Sequence, residues 1–149
     1  MGKALFAVGT LLVLLIGGLT LVVFVTRDED NVAVDNLLSE DVTRAIALAE
    51  RESDGQVDLT RLARFRWDEL LVVERGTPDA AISERLGYEW KGLLEFRTGE
   101  LLIFLDGGDV ARFADYRGDG RFSGFETPIA TLARDDAVLR VRDLVVSPD

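Results

Sequence analysis

The sequence predicts an α+β protein, in which an N-terminal transmembrane helix precedes a small domain with an antiparallel meander sheet and two helices. Three observations lead to this prediction. Residues 1–26 carry a single charged side chain, Lys3. Two later segments repeat apolar residues at helical spacing, and a glycine pair, Gly107-Gly108, separates two strand-like runs.

The leader, residues 4–26, is uncharged and strongly apolar. As a helix it would extend roughly 34 Å, which is enough to cross a hydrocarbon core of about 30 Å. We interpret residues 1–26 as an uncleaved signal anchor, because no small-residue cleavage pattern precedes Arg27. Residues 27–36 then form an acidic juxtamembrane linker and 37–149 an extracytoplasmic domain, with Lys3 on the cytoplasmic side. This predicts a single-pass protein of the cell membrane.

Composition excludes several classes of function. The chain has 27 acidic and 17 basic residues, a net charge of −10, no histidine and no cysteine. It therefore cannot form a Ser-His-Asp or Cys-His nucleophile, a thiolate or imidazole metal site, or a disulfide. The strongly acidic balance also argues against a surface that binds nucleic acid.

Two helices are predicted in the domain. The first covers residues 40–52, with Ser39 as its cap, a Glu40–Arg44 pair on its surface and an apolar stripe of Val42, Ala45, Ile46 and Ala49. The second begins after the Thr77-Pro78-Asp79 segment, which supplies a capping hydroxyl and a helix-compatible proline, and ends at Gly87.

Strand signals come from four segments. Residues 65–74 contain an unbroken apolar run at 70–73, which is typical of a strand covered on both faces. A hairpin turns at Gly107-Gly108, and this register would place Glu100 opposite Asp115. A second turn at Thr98-Gly99 would add residues 93–97 to a meander, and residues 138–141 form a late strand. The sum is an α+β domain.

One segment, residues 115–126, resembles the calcium loop of EF-hands. Its matching positions are Asp115, Asp119, Ser123 and Glu126 as ligands, with Gly120 at the turn. Arg117 occupies a ligand position and would repel the ion, and the segment follows a strand where an EF-hand has a helix. The other interpretation is a glycine-rich connection whose acidic residues have this spacing by chance.

Paired carboxylates suggest a second possible chemistry, hydrolysis of a glycosidic bond. Such a reaction needs an acid and a base across the bond, and an aromatic ring beside them can stack on a sugar. The candidate acids are Asp68, Glu69 and Glu95, close in sequence to Trp67 and Trp90. No pattern fixes the separation of these acids, and tryptophans more often fill cores.

Residues 65–141 resemble small membrane-tethered or secreted proteins of uncharacterised function in bacteria and archaea. The likeness lies in Phe65-Arg66-Trp67-Asp68 and the strand after it, the helix from Thr77 to Gly87, Trp90, the strand at 101–104, and Tyr116-Arg117-Gly118-Asp119. The resemblance implies an envelope location and a fold type, and no catalytic residues. It also implies that residues 116–124 are a structural signature.

The sequence thus predicts a membrane-anchored envelope protein that is not an enzyme and acts as a binding or accessory subunit. Its expected partners are the lipid bilayer and another membrane or envelope protein. The alternatives are a Ca²⁺-binding extracytoplasmic module that uses the 115–126 loop, and a carboxylate-based glycan hydrolase. No cofactor is predicted apart from Ca²⁺ in the first alternative.

Overall fold

The computed structural model describes residues 34–52, 55–92 and 99–148, all within one compact unit, Val32–Asp149. The helices among these residues are α1 (Asn36–Ala49), α2 (Leu59–Leu62) and α3 (Asp79–Leu86), with a 3-10 turn at Arg134–Asp136. The strands are β1 (Gln56–Asp58), β2 (Glu69–Val73), β3 (Glu100–Asp106), β4 (Asp109–Tyr116), β5 (Arg121–Phe122), β6 (Ile129–Ala133), β7 (Val138–Arg142) and β8 (Val145–Ser147).

These strands form two four-stranded sheets. The first has the order β4-β3-β2-β6 and is antiparallel, and the second has the order β1-β7-β8-β5, in which β5 and β8 run parallel. The predicted architecture, one meander sheet with two helices, is therefore wrong: the described residues form a small α+β domain with two sheets. Strands β1 and β5 contain 3 and 2 residues and pair with distant segments, so no local pattern predicts them. Strand β8, of 3 residues, follows β7 after a turn of two residues that are not glycine, so the usual turn signal is missing.

The first sheet is covered on both faces. One face packs against α1 and the second sheet, and the other packs against α3 and Trp90. Strand β2 lies in the middle of this sheet, and its residues 70–73 are buried. The prediction of a central, doubly covered strand is thereby confirmed, and its alternate side chains contribute to two separate apolar clusters.

Helix α1 begins earlier than predicted because Asp35 caps it. The Asp35 side chain accepts a hydrogen bond of 2.9 Å from the backbone N–H of Leu38. The predicted cap, Ser39, lies inside the helix, and its hydroxyl donates to the carbonyl of Asp115 at 2.9 Å. The predicted apolar stripe is confirmed by its buried members, Val42, Ile46 and Ala49.

The hairpin predicted at Gly107-Gly108 is confirmed, since β3 and β4 flank two glycines whose φ angles are +64° and +94°. The predicted register holds only beside the turn, where Leu105 lies opposite Val110. A β-bulge then leaves Ala111 as an extra residue in β4, and the pairing beyond it shifts by one position.

The bulge separates two carboxylates that the predicted register places directly opposite each other. Glu100 lies opposite Tyr116, and Leu101 lies opposite Asp115. Since opposite residues share a face and successive residues alternate, Glu100 and Asp115 project to opposite faces of the sheet. The extra residue thus removes a like-charge pair from the hairpin.

The two remaining strand predictions have different outcomes. Strand β7 confirms the late strand expected at residues 138–141. The third meander strand, residues 93–97, lies outside the described residues, and the second neighbour of β3 is β2. The last residues of the predicted linker contact the first sheet, because Val34 forms a parallel β-bridge with Phe113 of β4.

The expected location in the membrane is also corrected. Across residues 34–52, 55–92 and 99–148, no helix has both the length and the apolar character needed to cross a bilayer. This finding contradicts the prediction of a single-pass membrane protein. The segment on which that prediction depended, residues 4–26, lies outside the described residues.

Candidate functional site

The four predicted calcium ligands have different environments. The Asp115 side chain is 4% exposed and forms an ion pair with Arg117, while Asp119 and Glu126 are exposed and Ser123 is half-buried. The described part of the chain contains no group of three or more acidic residues that could hold a metal ion. The calcium loop stays a prediction that rests on the spacing of its acidic residues. Arg117, which stands where an EF-hand loop has a ligand, already forms an ion pair with the carboxylate of Asp115.

The loop after β4 packs over the hydroxyl of Tyr116. The backbone N–H of Gly120 donates to this hydroxyl at 3.0 Å. A Cβ atom at Gly118 would lie 2.5 Å from the same oxygen and 2.9 Å from Thr43 Oγ1, so only glycine fits there. Burial raises the pKa of Tyr116 above its ordinary value. The glycines of this segment therefore have a packing role.

The two tryptophans of the predicted glycosidase site are buried in the core. Trp67 is buried and donates from its indole N–H to the carbonyl of Ala63 at 3.1 Å. Trp90 is buried against Phe113, with the ring centroids 5.1 Å apart. Neither indole presents an open face on which a sugar could stack. Glu95 lies outside the described residues.

A groove of about 700 Å³ opens between the loop after β2, helix α3 and the segment that leads into β6. Helix α3 begins after Pro78 without a side-chain cap, because Thr77 donates its hydroxyl to the carbonyl of Glu74 at 2.8 Å. This bond turns the chain sharply between β2 and α3. The groove is lined mainly by Glu74, Arg75, Thr77, Pro78, Ala81, Glu84, Arg85, Thr127, Pro128 and Ile129.

Both arginines of this α3–β6 groove are engaged. Arg75 lies 3.5 Å from Glu100, a carboxylate whose side chain is only 4% exposed. Arg85 forms an ion pair with Glu69 and donates to Thr131 Oγ1 at 3.1 Å. By contrast, no described residue forms an ion pair with either glutamate of the lining, Glu74 or Glu84. The uncompensated charge of the groove is therefore negative.

Strand β6 borders the groove and is the outer strand of the first sheet. The N–H of Glu74 donates to the carbonyl of Pro128 at 2.8 Å, which places residue 128 in a hydrogen-bonded pair. Such pairs alternate along an antiparallel ladder, so residues 130 and 132 bond to β2 while 129, 131 and 133 direct their backbone groups outward. No described residue makes a backbone hydrogen bond to this outer edge.

The opposite edge of the same sheet is covered. There the N–H of Asp35 donates to the carbonyl of Phe113 at 2.8 Å, and Arg112 of β4 forms a 2.9 Å ion pair with Asp35. Strand β6 has no charged residue, and Thr131 and Ala133 are exposed. The two edges of this sheet therefore differ in both backbone pairing and charge.

None of the sequence patterns described above predicts this site, although the sequence carries one signal of it. Residues 129–133 are uncharged and lie between Pro128 and Arg134 in a chain of which 30% is charged. The groove itself arises only where three segments distant in sequence meet. Comparison with family models, with curated proteins and with solved structures found no match, so the resemblance over residues 65–141 stays a prediction.

Proposed function

We propose that this domain is a non-catalytic binding module that holds an extended peptide segment of a partner protein along the outer edge of β6. The observation that carries the proposal is the row of outward backbone groups on an uncharged strand beside the α3–β6 groove. An extended peptide can add to such an edge as a further strand, with main-chain hydrogen bonds for affinity and side-chain pockets for specificity.

The available hydrogen-bonding groups can be named. Thr131 and Ala133 offer both N–H and C=O outward, and Ile129 offers its N–H. The carbonyl of Ile129 already accepts a 2.8 Å hydrogen bond from Thr127 Oγ1. The Ile129 side chain packs with the cluster on the α3 face, so alternate side chains of an added strand would lie over the groove on that face.

Charge indicates that the occupant is a different protein and not a second copy of this chain. The chain has a net charge of −10, and exposed acids stand at both ends of β6: Glu126 before it, and Asp135 and Asp136 after it. Antiparallel pairing of two copies would bring the acids of one copy beside those of the other. Such like-charge contacts are destabilising.

The proposal can be tested by panning the full-length chain against a displayed library of short random peptides. Recovered peptides should bind the native chain and fail to bind Thr131→Pro, which removes an outward N–H and no bond to β2. The matched control, Thr131→Val, keeps the backbone donor and loses only the contact with Arg85, so it should bind normally.

Amide hydrogen exchange tests the same proposal without a substitution. On peptide binding, the amides of Thr131 and Ala133 should exchange more slowly, whereas those of Ala130 and Leu132, already bonded to β2, should change little. Peptides that bind the native chain and Thr131→Pro equally, with no protection at β6, would refute the proposal. So would a failure to recover any peptide.

A further inference from the structure

Within the proposed peptide-binding function, the α3–β6 groove carries information about the chemistry of the peptide. A groove that held two unengaged arginines would select an acidic ligand, and one that held two uncompensated carboxylates would select a basic one. The lining contains both kinds of residue. Which charge the groove presents depends on the contacts that its four ionic side chains already make.

Arg75 cannot turn toward a ligand without loss. Its partner, Glu100, is a nearly fully buried carboxylate, and Arg75 is the cation that the structure places beside it. Removal of one member of such a pair leaves a buried charge uncompensated, which is strongly unfavourable. Withdrawing Arg75 from Glu100 would therefore cost free energy, although the Arg75 side chain itself is 59% exposed.

Arg85 is held from two sides. It contacts the carboxylate of Glu69 and the hydroxyl of Thr131, residues of the neighbouring strands β2 and β6. A ligand that withdrew Arg85 would break both contacts. Each arginine of the groove therefore already neutralises a carboxylate, and an acidic side chain of a peptide would have to compete with that carboxylate.

The two glutamates of the lining differ from the arginines in their ionic contacts. Glu74 lines the groove from the end of β2 and Glu84 from helix α3, and no described residue forms an ion pair with either. Between them lie apolar surfaces of Pro78, Ala81, Pro128 and Ile129. Such a surface suits a side chain with an aliphatic stem and a cationic end, because the stem covers apolar atoms while the charge reaches carboxylates.

We infer that the α3–β6 groove selects a basic residue, lysine or arginine, of the strand bound at β6, with Glu74 and Glu84 as the carboxylates that contact it. This inference rests on the proposed peptide-binding function and adds its specificity. The net charge of −10 supports it, because the field around the chain attracts cationic segments.

The test uses the full-length chain and three synthetic peptides of alternating valine and threonine, identical except for a central lysine, norleucine or glutamate. Norleucine keeps the aliphatic stem and removes the charge. The lysine peptide should bind about tenfold more tightly than the norleucine peptide, and the glutamate peptide most weakly. Added salt should reduce the difference between lysine and norleucine.

Variants locate the effect in the groove. Glu74→Gln and Glu84→Gln should each weaken the lysine peptide by several-fold to tenfold and leave the norleucine peptide unchanged. The matched control is Glu40→Gln, which removes the same charge from the exposed surface of α1 and should change neither affinity.

The possible failures are distinguishable. If the three peptides bind equally and Thr131→Pro still abolishes binding, the selection of a basic residue is wrong and the proposed function stands. If the lysine peptide binds better but Glu74→Gln and Glu84→Gln have no more effect than Glu40→Gln, the groove is not the basis of the preference and the inference is again wrong. If none of the peptides binds, both the inference and the proposed function are overturned.

Discussion

Single residues already show how the fold changes side-chain chemistry. The chain has two tyrosines, and burial raises the pKa of both Tyr88 and Tyr116 above the ordinary value of 10.0. The folded state therefore keeps these hydroxyls protonated when the unfolded chain already ionises them. Their contribution to stability is fully present below pH 10 and is lost as the pH rises through the folded pKa values.

A tyrosinate titration followed by ultraviolet absorbance checks this expectation. Both transitions should occur above the pH at which the unfolded chain titrates. Tyr116→Phe should lower the free energy of unfolding by about 1 kcal/mol at neutral pH, since Gly120 loses its acceptor, and should flatten the alkaline loss of stability. In the control, Tyr88→Phe, the Tyr116 transition should remain. A Tyr116 transition at or below the unfolded value would contradict the prediction.

Leu144 is a residue in a conformation that favours glycine. It and Asp143 form the two-residue turn between β7 and β8, with φ angles of +59° and +52°. A leucine in this region costs about 1–2 kcal/mol, and Leu144 is 37% exposed. Leu144→Gly should therefore raise the free energy of unfolding by up to about 1 kcal/mol.

Leu144→Ala is the control for that substitution, because it removes the side chain and keeps the strained backbone. Both variants preserve the backbone contacts of residue 144 with Glu50 and Arg121, at 2.8 Å each. Thermal unfolding should rank Leu144→Gly above Leu144→Ala. Equal melting temperatures would show that the turn stores no strain.

At the scale of the elements, the close packing of the loop after β4 can be tested by substitution. Gly118→Ala should destabilise the protein by about 1–3 kcal/mol, because a Cβ would lie 2.5 Å from the Tyr116 hydroxyl oxygen. Asp119→Ala, at the exposed neighbour, should change stability by no more than about 0.5 kcal/mol. Chemical denaturation measures both, and a neutral Gly118→Ala would refute the packing role.

The contacts of the same loop bear on whether it binds calcium. We expect calcium titration of the full-length chain to leave its melting temperature unchanged, because Arg117 already holds the carboxylate of Asp115. A bound ion would instead raise the melting temperature by mass action. A rise that Glu126→Gln abolishes, and that Gln substitution of the distant Glu40 preserves, would establish the calcium loop.

Local chemistry determined which elements could be predicted. The hairpin was predictable because Gly107-Gly108 accepts the positive φ angles of its turn. The bulge was not, since Ala111 carries no local signal and the shift appears only in the pairing. The start of α1 was misplaced because Asp35 and Ser39 are both good caps, and only the tertiary fold gives Ser39 a partner in Asp115.

The site was less predictable than the fold. Strand β6 is specified by its pairing with β2, and the outer strands of the second sheet, β1 and β5, by pairing with distant segments. The α3–β6 groove needs residues 74–78, 81–85 and 127–129 to meet. The spacing of acidic residues predicted a site in the 115–126 loop. In the groove, by contrast, the carboxylates without an ion-pair partner among the described residues are those of Glu74 and Glu84.

At the scale of the whole molecule, we expect charge to keep the edge of β6 from pairing with another copy. Asp135→Asn combined with Asp136→Asn removes the acids that follow this strand, and the double variant should self-associate as its concentration rises. Sedimentation velocity measures the association, and adding Thr131→Pro should reverse it. The charge-matched control, Glu40→Gln with Glu52→Gln, should stay as dispersed as the native chain.

The extra residue in β4 also makes this strand unequal in its tolerance of a change in length. Loss of the codon for Ala111 would remove the bulged residue itself, and Val110 and Arg112 would remain opposite Leu105 and Phe104 in an uninterrupted ladder. Loss of the codon for Ala114 would instead move Phe113 or Tyr116, both fully buried, to the other layer. In this strand the harm done by an in-frame deletion of one amino acid therefore depends on which residue is lost.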